Sequence, residues 1–163
     1  MKQLLILGID PGITGAIGTL GPNGYAGVED LPMMTVPNGA RKQQVLDIGL
    51  LQRRLECWQA KHQVYAFIEK TQPMKDSAMT AFSMGQMRGS LLAICACLNI
   101  PVVDVFPQDW KRKYNLIKCD KSASIGAAKQ LFPCVSDDLS RVKDHNRAEA
   151  ILIAAYGKGT MNI

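Results

Sequence analysis

The sequence has no CxxC pair and only two histidines. A structural zinc site draws on clustered cysteines and histidines, so none is expected. The five cysteines (Cys57, Cys95, Cys97, Cys119 and Cys134) are an odd number. They do not form a paired disulfide framework and fit a reducing compartment, with the cytoplasm as the expected location. No run approaches the ~18 uninterrupted apolar residues of a membrane span, so no membrane association is expected. The first residues lack a basic n-region, an apolar h-region and a cleavage site, and no secretion signal is expected. No internal repeat, linker or low-complexity tract divides the chain, so residues 1–163 read as one domain. Hydrophobic residues make up 47% and charged residues 20%, the balance of a globular chain with a proper core.

The opening stretch, residues 1–12, organises the rest. Leu4 to Ile9 is an apolar run broken only by Gly8, short enough for a buried strand and too short for a buried helix. It ends on Asp10, and Pro11-Gly12 then forces a turn. A strand buried on both faces gains no stability from a carboxylate at its end, because an uncompensated buried charge is costly. Asp10 therefore either holds a cation or caps the turn through its side chain.

Residues 14–20 and 25–31 read as second and third strands of an antiparallel meander, followed by a loop over 32–40. From 41 to about 62 the apolar positions Val45, Ile48, Leu51, Leu55 and Trp58 recur at helical spacing. Residues 64–68 form another short apolar strand, ending like the first on a carboxylate, Glu69. A second long helix is expected over 76–98, with Gly85 and Gly89 kept for close packing against the sheet or a second subunit. A fifth strand over 101–106, a helix over 122–131, a loop over 134–142 and a final helix from Asp144 to a stop at Gly157 complete the chain. This order predicts an α/β fold, a mixed five-stranded sheet with helices on both faces.

Net charge is +5, and between residues 107 and 133 six Lys/Arg face only Asp109 and Asp120. Interleaved with Trp110 and Tyr114, these cations make either a polyanion-binding patch or a solvated helix face.

Two strands far apart in sequence each end in a lone carboxylate. If they lie side by side and parallel, Asp10 and Glu69 fall at one sheet edge. The final helix opens Asp144-His145-Asn146-Arg147-Ala148-Glu149 and then turns apolar, which sets Glu149 beside buried surface. His145 and Asn146 share its face, whereas Asp144 reaches in only from the preceding turn; otherwise Asp144 is a helix cap. Three or four converging carboxylates suit hard divalent cations, Mg²⁺ or Mn²⁺. Two such ions per site perform in-line phosphoryl displacement, and adjacent basic residues hold a phosphate backbone. A metal-dependent nuclease is the expected activity.

In these residues the chain resembles the RuvC-type Holliday-junction resolvases, on the phage and plastid side of that family. Gly8-Ile-Asp10-Pro-Gly12 looks like the family's first-strand motif and Phe67-Ile-Glu69 like its second carboxylate. Met84-Gly-Gln-Met-Arg-Gly89 looks like its Gly-Gln-x-Arg-Gly helix, and Arg147-Ala-Glu149-Ala-Ile-Leu-Ile-Ala-Ala like its last helix. The resemblance implies a ribonuclease H-like fold, metal ligation by Asp10, Glu69, Asp144 and Glu149, and resolution of four-way DNA junctions by a homodimer. It places Lys111 and Lys121 at the scissile phosphate, with Lys121 assisting catalysis. Arg88, Lys111, Lys113, Lys118 and Lys121 are the expected DNA contacts.

Three departures matter. Asn146 stands where bacterial members carry Asp or His, so the fourth ligand falls to Asp144 or His145. The last carboxylate is Glu149 rather than Asp. After Glu69, Lys70-Thr-Gln-Pro-Met74 offers no aromatic to pack on junction bases, Met74 being the nearest apolar candidate. A monomeric RNA-processing nuclease of the same fold and a non-catalytic DNA-binding module are the alternatives.

Overall fold

The computed structural model describes residues 2–70 and 78–161. Strand β1 (Gln3–Asp10) is the spine of the main sheet. It pairs antiparallel with β2 (Ala16–Leu20), which pairs antiparallel with β3 (Ala26–Asp30). On its other side β1 runs parallel to the strand His62–Glu69, which in turn runs parallel to Val102–Val105. A separate two-stranded ribbon lies between the meander and the first helix, formed by β4 (Met33–Asn38) and β5 (Arg41–Leu46). The parallel strands are therefore β6 (His62–Glu69) and β7 (Val102–Val105), and the main sheet runs in the order β3-β2-β1-β6-β7. The helices are α1 (Ile48–Lys61), α2 (Ala78–Cys97), α3 (Pro107–Lys113), α4 (Lys121–Leu131) and α5 (His145–Thr160).

The alternation of β1 divides the core in two. Leu5, Leu7 and Ile9 pack with Leu51 and Leu55 of α1 and Leu91 and Ile94 of α2 on one face. Ile6 points to the other face, where Phe67, Trp110, Ala128 and the apolar run of α5 meet it. A strand covered on both sides reads as a continuous apolar run, which is why 4–9 carries no polar alternation. The expected mixed five-stranded sheet with helices on both faces is the one observed.

Three expectations need correction. The helix expected from residue 41 begins at Ile48, and residues 41–46 with Val45 are strand. The expected loop over 32–40 is largely β4. A two-residue link closes this hairpin, with Gly39 in the left-handed region at φ +60° between the paired Asn38 and Arg41. The helix start is Asp47, whose carboxylate accepts the Leu50 amide at 2.8 Å. The final helix also passes through Gly157 and ends at Thr160. That glycine serves packing rather than termination: a Cβ on it would lie 2.3 Å from the Phe67 ring.

Candidate active site

Gly8 and Gly18 are directly paired across β1 and β2, and together they make a bare patch of sheet. Helix α5 lies on it by its backbone. A Cβ on Gly8 would be 2.2 Å from the Ala150 carbonyl oxygen and the Ala154 amide nitrogen, and one on Gly18 would be 2.4 Å from the Ile151 nitrogen. The small residues Ala150 and Ala154 complete this close approach. Asp10 is two residues beyond Gly8 and shares its face of the strand. Glu149, adjacent to Ala150, is thereby carried to the same sheet edge.

The parallel register of β1 and β6 ends at Ile9 opposite Ile68, so Asp10 and Glu69 follow as the next residues of two neighbouring strands. Glu69 shares the face of Phe67, the face that α5 covers. Trp110 of α3, fully buried, donates its indole N–H to Glu69 Oε2 at 2.7 Å. The next residue, Lys111, places Nζ 3.9 Å from Glu149 Oε1. Ser124 of α4, itself buried, donates its hydroxyl to the same Glu149 oxygen at 3.3 Å.

A polar cavity of about 280 Å³ opens beside these groups, lined by Asp10, Lys111, Lys121, His145, Asn146 and Glu149 among others. Burial holds the Asp10 carboxyl well above the usual carboxylate range, the neighbouring charges of Glu69 and Glu149 push it the same way, and Lys111 and Lys121 offset it only in part. Glu69 is also raised, by burial first and by Glu149 second, against the opposing pull of the Trp110 hydrogen bond and Lys111. Carboxylates held together in a poorly solvated site repel one another unless a cation joins them.

The side chains suit such a cation by type: hard carboxylate oxygens from Asp10, Glu69 and Glu149. Among the described residues no three His, Cys, Asp or Glu side chains already enclose a metal position. His145 is a further possible donor. Its Nδ1 faces the Val142 carbonyl at 3.2 Å, which leaves Nε2 as the ring nitrogen turned to other partners. Asn146 instead donates its amide to the Thr14 carbonyl and, at 2.9 Å, to the Thr14 hydroxyl, bracing the turn that follows Asp10.

Asp144 is not brought to this cavity. Its carboxylate is buried and accepts the Arg141 backbone N–H at 2.7 Å and the Arg141 guanidinium at 2.8 Å. Those hydrogen bonds hold its carboxyl below the usual range. The Arg141 guanidinium and amide engage both oxygens of this carboxylate, and it is His145, not Asp144, that lines the cavity with Glu149.

The expected DNA contacts divide as well. Lys111 and Lys121 line the cavity. Lys118 is exposed at φ +60° in the turn leading to α4. Arg88 is engaged by Asp104 of β7 at 2.6 Å. Lys113 lies 5.4 Å from the centre of the Tyr156 ring, and a Cβ on Gly159 would be 2.4 Å from its ammonium. Gly159 is ten residues beyond Glu149, about 15 Å along the helix, so Lys113 points away from the carboxylates. Met74 lies outside the described residues. Trp110 and Ser124 are the contributors that sequence reasoning missed. An indole next to a lysine in a basic run reads as part of the patch, and only the tertiary fold reveals Glu69 as its partner.

No protein-family model matches the sequence, and no curated protein matches it. Solved structures do. The Thermus thermophilus RuvC structure in complex with a Holliday junction substrate aligns at a TM-score of 0.56 and 16% identity, covering 96% of each chain. A second T. thermophilus RuvC structure aligns at 0.56 and 18% identity over 95% of each chain. The yeast mitochondrial Holliday junction resolvase aligns at 0.53 and 19% identity, over 92% of this chain and 75% of that one. At these identities the likeness is one of architecture: along nearly its whole described length, the chain has the ribonuclease H-like fold of the RuvC and mitochondrial resolvase structures.

Proposed function

We propose that the protein is a divalent-metal-dependent endonuclease that resolves four-way DNA junctions by paired nicks. The observation that carries this reading is the trio Asp10, Glu69 and Glu149. Three carboxylates meet at one edge of a resolvase-like fold, with Asp10 and Glu69 held above their usual range by burial first and by neighbouring carboxylates second, Glu149 acting on both. The two cavity lysines beside them, Lys111 and Lys121, form a mixed-charge site that suits a phosphodiester.

Asp10, Glu69 and Glu149 are the residues that would hold Mg²⁺ or Mn²⁺, as two ions, with His145 the nearest further donor. When bound, such a metal pair supplies an activated water and stabilises the leaving oxygen. The chain's own groups position the rest. Lys121 at the first turn of α4 faces the cavity and stabilises charge on the phosphate oxygens. Lys111 compensates Glu149 and serves as a second phosphate contact. Trp110 fixes one oxygen of Glu69, and the other would be the one offered to such an ion. Lys118 at the rim contacts backbone further out.

A second copy of the chain completes the function, since one chain carries one set of these carboxylates and a junction needs two opposed nicks. Gly85 and Gly89 of α2 support this: a Cβ on either would meet nothing within 4 Å among the described residues. Beside them runs a groove of about 620 Å³ between α1 and α2, lined by Ala93, Ile94, Cys97 and Leu98. Close helix approach at these glycines is proposed between protomers rather than against the sheet. No helix among the described residues is long and apolar enough to cross a membrane.

The test is incubation with a synthetic four-way junction, a linear duplex and single-stranded RNA, each with and without Mg²⁺. Symmetric nicking of the junction alone, only with metal, is expected. Cleavage of RNA with the junction left intact would overturn the proposal in favour of an RNA-processing nuclease.

A further inference from the structure

The β4–β5 ribbon belongs to neither helix-covered face of the main sheet. Its root is built into the carboxylate edge. Leu31 donates its amide to the Gly15 carbonyl at 2.9 Å, and Asp47 donates to Pro32 at 2.8 Å, so the hairpin leaves and rejoins the fold beside the turn after Asp10. Val45 and Leu46 share a small cavity with Ile13 of that turn and Met87 of α2. From this anchored base the strands extend five further residues, about 17 Å, to the tip. Every residue from 37 to 42 is exposed.

The ribbon is internally braced and basic. Gln44 donates its side-chain amide to the Thr35 hydroxyl at 2.7 Å on one face, and Asn38 donates to Gln43 Oε1 at 3.1 Å on the other. Between residues 31 and 46 the only charged side chains are Arg41 and Lys42. Neither has an ion-pair partner among the described residues. Pro37 stands directly opposite Lys42. A proline on one strand and a lysine on the other are the devices that block addition of a further strand, which disfavours a protein partner docked by edge pairing. Uncompensated cations on a stiff, narrow ribbon favour a polyanion, and a two-stranded ribbon has the width to enter the major groove of duplex DNA.

We propose that the β4–β5 hairpin is a DNA-contacting arm, with Arg41 and Lys42 binding backbone phosphates of a duplex arm of the junction held at the carboxylate site. The inference rests on the nuclease reading proposed for that site. It adds a DNA-binding surface about 17 Å along the ribbon from its base, outside the basic segment of residues 107–133.

The test compares the wild type with the double variant Arg41→Ala/Lys42→Ala on a labelled four-way junction across a salt series. Removing one phosphate-binding cation lowers the slope of log affinity against log salt by about 0.9, so the slope of the double variant should fall by about 1.8. Between 50 and 200 mM salt this makes its affinity deficit shrink by about tenfold. The melting temperature and the nicking rate of saturated complex should not change, because the tip touches neither core nor carboxylates. Arg41→Lys should keep the wild-type slope. A double variant with wild-type affinity and slope, while the wild type binds and nicks junctions, overturns the arm and leaves the nuclease reading standing. If that variant instead alters only the sedimentation of the protein, the hairpin is a protein-binding element and the arm is likewise overturned. A wild type that binds no junction at any salt overturns the nuclease reading itself.

Discussion

Replacing Gly8 with alanine tests whether the seat of α5 on the sheet is what assembles the carboxylates. The added methyl carbon would sit 2.2 Å from backbone atoms of Ala150 and Ala154, whereas ordinary contact begins near 3.4 Å. Both obstacles are main chain, so no rotamer change relieves them and α5 must lift by about 1 Å. Overpacking of this kind costs roughly 1–3 kcal/mol. In a domain of this size that is a fall of about 2–4 °C in melting temperature per kcal/mol. The domain should therefore still fold. Its site should suffer more, because Glu149 rides on the displaced helix while Asp10 and Glu69 stay with the sheet. A misplacement near 1 Å can cost about a hundredfold in rate. Single-turnover nicking of a four-way junction at saturating Mg²⁺ measures the site, and thermal melting measures the fold. Stabilisation by added Mn²⁺ should weaken in parallel with nicking, since it depends on the same three carboxylates. A folded Gly8→Ala protein that nicks at the wild-type rate would refute the link between the glycine seat and the placement of Glu149.

Asp10→Asn should abolish nicking, a loss of at least about a hundredfold, yet raise the melting temperature of the metal-free protein. Its raised carboxyl makes the metal-free fold bind that proton more tightly than the unfolded chain does. The resulting penalty is full above the folded pKa and absent below the unfolded value of about 3.8. Metal-free wild type should thus gain stability as pH falls from neutrality toward 4, and a melting temperature that only declines over that interval would count against the coupled carboxylates. Below that interval the trend reverses, because Asp30 and Asp144, lowered by their arginine hydrogen bonds, lose their stabilisation as pH falls through their folded pKa values. Trp110→Phe keeps the buried ring and removes the N–H, so half-maximal nicking should require more Mg²⁺, with little change in junction affinity; an unchanged metal requirement would show that Glu69 needs no such anchor. Asp144→Asn should lower the melting temperature more than it lowers the saturated nicking rate, whereas His145→Ala should do the opposite, and a reversed ranking would return the ligand role to Asp144. Gly126→Ala, in open space on α4, should stabilise by about 1 kcal/mol without touching activity, and a loss of stability there would mean that α4 packs against something else.

The carboxylate pair at the strand ends was legible because the signal is local. An apolar run that stops on an acid needs only strand length and burial to be interpreted, and both β1 and β6 carry it. Glu149 was legible for the same reason, sitting where α5 turns apolar. The pairing of Asp144 with Arg141 was not legible, because helix spacing tells which face a residue shares and not which partner claims it. Arg141, three residues upstream, takes both carboxylate oxygens in the turn before the helix. The β4–β5 hairpin was hidden by coincidence of period. Val45, Ile48, Leu51, Leu55 and Trp58 fit a helical stripe, and Val45 joins it although it belongs to a strand on the other side of the Asp47 cap. Gly85 and Gly89 were read as close-packing positions against the sheet or a second subunit, and the described residues of the monomer supply no partner for either.

The two sides of the candidate site are held by different means, and this explains how a fold sustains such a cluster. Asp10 and Glu69 come from adjacent parallel strands, so their separation is set by backbone hydrogen bonds that no side-chain change can loosen. Glu149 comes from α5 and depends on glycines at 8 and 18 for its depth. Helix α3 then joins the two: consecutive residues Trp110 and Lys111 reach Glu69 and Glu149. A neutral donor on the strand carboxylate and a cation on the helix carboxylate lower the repulsion without neutralising it. Full neutralisation would leave no affinity for a divalent ion, and none at all would leave a metal-free chain strained by its own charges. In the proposed nuclease, stability and activity therefore oppose each other at Asp10, the residue for which the melting and nicking measurements should move in opposite directions.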